Sequence, residues 1–261
     1  MNTERKISSE KAIRELVASN VRTFAQTFSE RHISEFDDPD GTLNMKIHNV
    51  FIAVLGEEIQ YYTALVRSFD SSLGNMLENL AVSIAKFFYS VTNHVSGPLY
   101  SEQITIIAEL LEAYKNTQNP KRVSVRDYLL LKNIKNRSKI QEKTHISDYY
   151  LFDEESDQHF LIELKIGGDL DNKKARAEKE AIFEQYAILS NTLGKDAKIK
   201  CYFATAYNRY GEKTMTTKDF WNFVCKFERG YEIIMDELYK NVDYIVKAKE
   251  NILYYYLERV A

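Results

Sequence analysis

The sequence predicts an α/β domain with a helical N-terminal portion and a helical C-terminus, and three observations predict it. Apolar residues recur at three- and four-residue steps through the first 115 positions, the period of a helix with one buried face. Residues 148–152 and 159–166 are short aromatic and β-branched runs on either side of a polar turn, which reads as a hairpin. A second helical period begins near Asn172 and leads into another strand-like run at 198–205.

The elements follow in order. Behind caps offered by Ser8 and Ser9, Ile13, Leu16, Val17, Val21, Phe24, Ala25 and Phe28 outline the first helix. Turn residues at 36–41 separate it from a second helix marked by Ile47, Val50, Phe51, Val54 and Leu55. A third helix is expected behind Ser71 or Ser72, with Leu77, Leu80, Ala81, Ile84, Phe87, Phe88 and Val91 on one face and Gly97-Pro98 beyond its end. A fourth covers 102–114. The first strand of the sheet is placed at Arg122 to Leu131, the hairpin follows, and Asp171 or Asn172 caps a helix to about Leu193. Residues 219–259 read as helical. Without an internal repeat or low-complexity linker, 1–261 is expected to be a single domain, with 1–115 mostly helical and 120–261 carrying the core and the C-terminal helices.

Composition narrows the class. With 261 residues, 44% hydrophobic and 28% charged, the chain has enough apolar surface for its own core. A net charge of −3 excludes a histone-like polycation. Locally, however, Lys121, Arg122, Arg126, Lys132, Lys135, Arg137, Lys139 and Lys143 face only Asp127 and Glu142, so 121–143 carries +6 and the remainder −9. Such a strip is either a phosphate-binding surface or a solvated face. Cys201 and Cys225 stand apart in apolar surroundings and read as reduced core thiols. The first fifteen residues alternate charges with single aliphatics and no apolar run reaches eighteen, so a cytoplasmic protein without membrane contact is expected. No P-loop or GxGxxG occurs, so no nucleotide cofactor is expected. The five histidines show neither nucleophile nor metal-ligand spacing, and residues 254–256, three tyrosines, read as helix packing or a subunit contact.

One constellation carries chemistry. On the second hairpin strand Leu161, Glu163 and Lys165 point to one face while Phe160, Ile162, Leu164 and Ile166 point to the other. Asp148 begins the partner strand, and antiparallel pairing across a short turn brings it near Glu163. Two carboxylates and a backbone carbonyl suit a hard divalent cation such as Mg²⁺, and Lys165 can orient or help deprotonate an attacking water. The alternative is that Glu163 and Lys165 are polar residues on the wet side of a half-buried hairpin.

Asp148 followed by Glu163-Leu164-Lys165 on an apolar strand resembles the active-site pattern of the PD-(D/E)xK nuclease superfamily. Three segments narrow the resemblance to type II restriction endonucleases: residues 72–81, residues 167–175 (GGDLDNKKA), and residues 219–223 with Gly230-Tyr231. The second of these is similar to enzymes that read GGNCC. Ser147 stands where the motif's name has proline, with Asp153 and Asp157 as the alternative acids.

The resemblance implies a restriction-endonuclease-like core, a mixed central sheet flanked by helices, and a bacterial or archaeal source. It implies Mg²⁺-dependent cutting of double-stranded DNA at a short palindrome to leave 5′-phosphates, by a homodimer. Asp148, Glu163 and Lys165 are then catalytic, and Asp148, Glu163 and Glu78 hold metal. DNA contacts are expected from Lys173, Lys174 and Arg176 at a helix start, Arg209 in the 207–213 loop, and Lys135, Arg137 and Lys139 in the basic strip. The competing functions are another nuclease of the superfamily, such as a junction resolvase or repair nuclease, and a non-catalytic DNA-binding or helical interaction protein.

Overall fold

The computed structural model describes residues 3–38, 54–115, 121–165, 172–205 and 215–260. In chain order the elements are α1 (Thr3–Asp37), α2 (Glu57–Ala85), β1 (Ser90–Tyr100), α3 (Ser101–Ala113), α4 (Val125–Lys132), β2 (Ile140–Asp153), β3 (Gln158–Lys165), α5 (Asn172–Leu193), β4 (Ile199–Thr205), α6 (Thr217–Cys225), α7 (Gly230–Lys240) and α8 (Val242–Val260). None of these helices is long and apolar enough to cross a membrane. The chain divides into two compact units, Met1–Ile84 with Phe227–Ala261, and Ala85–Lys226.

The first unit is helical. α1 buries Ile13, Val17, Val21, Phe24, Ala25 and Phe28, the stripe its periodicity predicts, and packs against α7 and α8. Tyr256 of α8 stacks on Tyr61 of α2 with ring centroids 4.1 Å apart, and Phe36 meets both rings edge-on. Within the C-terminal tyrosines, Tyr256 is therefore a packing residue.

The second unit holds a mixed sheet of order β1-β2-β3-β4. β1–β2 and β2–β3 are antiparallel, β3–β4 is parallel, and an isolated parallel bridge joins Met215 to Ala204 at the outer edge of β4. The α/β class and the mixed, helix-flanked sheet agree with expectation. α5 connects β3 to β4 and crosses one face of the sheet. There Val95, Leu99, Leu161, Phe183, Tyr186 and Ala187 share a core with Ile107, Leu110 and Leu111 of α3 and Leu131 of α4. On the opposite face α6 brings Phe220 to Tyr149 and Phe223 to Phe160.

Several boundaries differ from the sequence reading, each for a physical reason. α1 begins at Thr3, ahead of the proposed caps. α2 runs uninterrupted through Ser71 and Ser72, then stops at Ala85, so Val91 belongs to a strand. The first strand is β1 and not Arg122 to Leu131, whose end is helix α4, with Ser124 N–H and Oγ both donating to Asp127 Oδ2 at 2.8 and 2.9 Å. Val91, Val95 and Leu99 sit four apart and mimic a helix because β1 is an edge strand that buries only Val95 and Leu99. Of the helix expected over 47–55, residues 47–53 lie outside the described ones and Val54 and Leu55 form a turn. Cys201 and Cys225 are both unpaired thiols, and burial pushes each up to about 12.

Gly97, in β1, permits the close contact between α5 and the sheet. Its φ is +151°, and an added Cβ would stand 2.6 Å from Thr192 Oγ1 and 3.2 Å from Ile188 Cγ2. Gly97→Ala is expected to destabilise the protein by about 1–3 kcal/mol, from overpacking plus backbone strain. Urea unfolding measures it, and an unchanged midpoint would remove this contact from the fold's requirements.

Candidate active site

β2 is flanked by two strands over only part of its length. Tyr149 to Asp153 pair with β3, from Tyr149↔Ile162 to Asp153↔Gln158, while Ile140 to Ile146 pair with β1 alone. Between these stretches the β1 register jumps from Thr92↔Tyr150 to His94↔Ile146, so Ser147, Asp148 and Tyr149 oppose the single residue Asn93. This is an irregular β-bulge with two extra residues, and bulges bend a strand and re-aim its residues beside many active sites. It also changes the phase of β2. Before the bulge His145 stands opposite Val95 on the α5 face, whereas after it Tyr150 stands opposite Leu161 on that face.

The backbone positions of the predicted acids both lie at this fork. One step beyond Tyr149↔Ile162, the register sets Asp148 opposite Glu163. Glu163 lies two residues from fully buried Leu161, on the same face, and is itself 7% exposed. It is therefore not a polar residue on the wet side of the hairpin. Lys165 ends β3 opposite Thr205 of β4. The side chains of Asp148 and Lys165 lie outside the described ones. A carboxylate drawn out of water at a strand end, with a second acid opposite in register, is an all-oxygen donor set of the hardness Mg²⁺ prefers. Among the described residues no group of three His, Cys, Asp or Glu forms a metal cluster by itself.

Asp153 is no substitute for Asp148. It closes the other end of the hairpin, buried, with Lys226 Nζ donating to Oδ1 at 2.8 Å. Burial pushes its carboxyl up, but the Lys226 ammonium outweighs that and holds it below the usual range. Asp157 stands in the turn with a positive φ of 51°. Glu78 is half-buried on α2, in the helical unit.

Of the expected DNA contacts, Lys173 and Lys174 lie in the first turn of α5 with side chains outside the described ones, and Arg209 with its loop falls outside the described residues. Arg176 Nη1 is 3.5 Å from Glu112. Lys135, Arg137 and Lys139 are exposed in the segment leading into β2, where Glu102 accepts from Lys135 N–H at 3.3 Å and Arg137 lies over the Tyr100 ring. Arg122 and Arg126 join Lys135 around an open groove of about 980 Å³. Other members of the strip are engaged: Lys121 with Asp127 at 2.9 Å, Lys132 with Ala197 O at 3.1 Å, and Lys143 with Glu184 at 2.7 Å.

The last contact belongs to a cluster that the sequence did not reveal. Glu184 of α5 is 5% exposed; Lys143 Nζ donates to both of its oxygens at 2.7 Å, and His145 Nε2 stands 2.7 Å from Oε2. Burial pushes the Glu184 carboxyl up, but His145 and Lys143 together hold it below the usual range. His145 thus has a carboxylate neighbour some forty positions away in the chain, which no local spacing signals.

A family model described as HinfI, type II restriction endonuclease, matches residues 9–243. No curated protein and no solved structure matches the chain.

The Asp153–Lys226 pair gives a stability test. A carboxylate whose pKa is lowered on folding stabilises above its unfolded value, near 3.8, and loses that contribution as pH falls through the lower folded value. Asp153→Asn should therefore cost about 1–3 kcal/mol at pH 7 and progressively less below pH ~4. Urea midpoints of both proteins across this range check it; a constant difference down to pH ~2 would assign the loss to packing.

Proposed function

The chain belongs to the HinfI family of type II restriction endonucleases and is a site-specific deoxyribonuclease, and on that premise we propose that it cuts both strands of a short palindrome with Mg²⁺ at the β2–β3 fork. The observation that supports the site is Glu163, a buried carboxylate near the end of β3, one residue past the last β2–β3 pair, as Asp148 is on β2, and two residues before Lys165. Asp148 and Glu163 would hold the cation with a neighbouring backbone carbonyl, and Glu78 is a further acid proposed for it. When bound, the ion supplies Lewis-acid stabilisation of the phosphate and acidifies a water.

The protein's own groups do the rest. The Lys165 ammonium orients the attacking water and offsets charge on the phosphate oxygens. Attack on phosphorus breaks the bond to the 3′ oxygen, leaving a 3′-hydroxyl and a 5′-phosphate. The low-dielectric setting of Glu163 strengthens each of these charge interactions.

A palindrome presents the same bases twice about a two-fold axis, so the active assembly in this proposal is a homodimer with one site per strand. Lys173, Lys174 and Arg209 are the proposed readers, since Arg and Lys match the O6 and N7 acceptors of guanine in the major groove. Arg176, Lys135, Arg137 and Lys139 are proposed to contact phosphates. GGNCC, implied by the resemblance of residues 167–175, is the first site to test. Glu163 and Lys165 then stand in the cleft of a cytoplasmic enzyme acting on double-stranded DNA.

Digestion of phage DNA with Mg²⁺ and mapping of the ends tests the proposal. Discrete cuts at one palindrome with 5′-phosphates are expected; discrete cuts at a palindrome other than GGNCC would overturn only the specificity. Cleavage confined to branched DNA would instead indicate a resolvase. Glu163→Gln, Lys165→Ala and Asp148→Ala should each lower kcat by ~10³-fold or more. Full activity in Glu163→Gln would refute the site.

The ion gives a separate test. Ca²⁺ should support specific binding with little cutting, because its looser oxygen shell activates water less well. Efficient cutting in EDTA would overturn the metal mechanism.

A further inference from the structure

We infer that Glu184 is a positioning residue for the cleavage site: by holding Lys143 and His145 it fixes the unpaired arm of β2 against α5 and so sets where Asp148 stands relative to Glu163. This rests on the β2–β3 fork being the site.

Cross-strand hydrogen bonds do not fix Asp148. It lies in the bulge, where three residues of β2 meet one of β1, and just past the last pair between β2 and β3. The arm that precedes it, Ile140 to Ile146, has β1 on one side and no β3 partner on the other. β1 is itself the sheet edge, so the β1–β2 arm needs an anchor outside the sheet.

Glu184 supplies that anchor with direction. One carboxylate takes the Lys143 ammonium on both oxygens at 2.7 Å and stands 2.7 Å from His145 Nε2, two residues apart on one face of the arm. Apolar packing would resist separation of arm and helix, but it tolerates sliding along the strand; a bidentate Lys143–Glu184 ion pair with the His145 ring nitrogen 2.7 Å from the same carboxylate does not. His145 is three residues before Asp148, so displacement of the arm is transmitted directly into the bulge.

The same helix holds the other half of the site. Phe183 and Ala187, flanking Glu184 on α5, share the buried core with Leu161, two residues before Glu163. α5 thus grips β3 through apolar contact and the β2 arm through Glu184. A rigid element between two strands that bear the acids fixes their separation, as groups behind metal ligands do in metalloenzymes.

The test uses Glu184→Gln, which keeps the shape and removes the charge, and His145→Asn, in which a half-buried side chain is shortened and the core is untouched. Circular dichroism and thermal unfolding establish that each folds. Specific DNA binding is followed by fluorescence anisotropy against Ca²⁺, without cutting, and cleavage is followed against Mg²⁺. The Ca²⁺ and Mg²⁺ concentrations for half-maximal effect should rise about 10- to 100-fold in both variants. Cleavage should recover at high Mg²⁺, and DNA affinity at saturating Ca²⁺ should change less than about threefold.

A purely structural ion cluster would lower the melting temperature and leave both metal titrations in place, and that result would overturn the inference. If Glu184→Gln fails to fold, His145→Asn alone decides it by the same titrations. Full cleavage by Glu163→Gln would refute the site itself; a dead Glu163→Gln beside unaltered metal titrations in Glu184→Gln and His145→Asn would refute only the positioning role.

Discussion

β2 is paired on both edges over part of its length and on one edge over the rest, and this change from double to single pairing governs the rest of the second unit. Over Tyr149 to Asp153 β2 satisfies backbone groups on both edges; over Ile140 to Ile146 it faces β1 alone. A regular strand would carry Asp148 through this change with its ladder intact and its phase unaltered. The bulge against Asn93 breaks the ladder there and shifts the phase, so the α5 face receives Lys143 and His145 on one side of the break and Tyr150 on the other. In the proposed site, backbone freed at the end of a strand pair, next to a buried acid, would be available to a metal and a phosphate. A continuous sheet would have used those groups for its own hydrogen bonds.

α5 bears the cost of that arrangement. Every residue from Ile182 to Ser190 is buried, so the middle of the helix is enclosed on all sides by the sheet, α3 and α4. A carboxylate in such a place loses its hydration and survives as an ion only with close cations. Lys143 provides one, with the His145 ring nitrogen beside it, and the contact turns an electrostatic necessity of the helix into a constraint on the strand. Gly97 contributes from the opposite direction. Without a side chain there, Thr192 and Ile188 settle directly onto β1, which brings the helix close enough for Glu184 to reach the arm.

The sequence revealed those features whose signal is local. β3, α5 and β4 each have a period or a turn within ten to twenty residues, and their bounds fall within a few positions of expectation, whereas β2 begins at Ile140, eight residues before Asp148, its expected start. Glu163 was legible because its neighbours alternate, although alternation could not say that both faces of β3 are covered; that follows from α5 and α6, which are distant in the chain. β1 escaped notice because Thr92 to His94 is polar, Gly97-Pro98 reads as a breaker, and its buried residues are four apart. The phase change in β2 and the Lys143–His145–Glu184 cluster were illegible in principle. Each depends on register between segments tens of residues apart, and no spacing within either segment encodes it.

The basic strip shows how the same fold sorts charge. Read as sequence, residues 121–143 are eight cations against two acids. Folded, Lys121 is spent on the cap carboxylate of α4, Lys132 on the Ala197 carbonyl and Lys143 on Glu184, each fixing an element of the catalytic unit. Arg122, Arg126, Lys135, Arg137 and Lys139 remain exposed. If the segment contacts DNA as proposed, the two sets differ: cations committed to protein groups would release few counterions, while exposed ones would release them and set the salt dependence. The segment's attraction for a phosphate backbone therefore comes from fewer charges than the sequence counts. They are concentrated at α4 and the residues just before β2, and β2 leads through His145 to the bulge. The strand that carries Asp148 into the site thus begins where the exposed cations lie, so a phosphate held there and one at the fork would be linked through a single arm, the one that Glu184 holds in place.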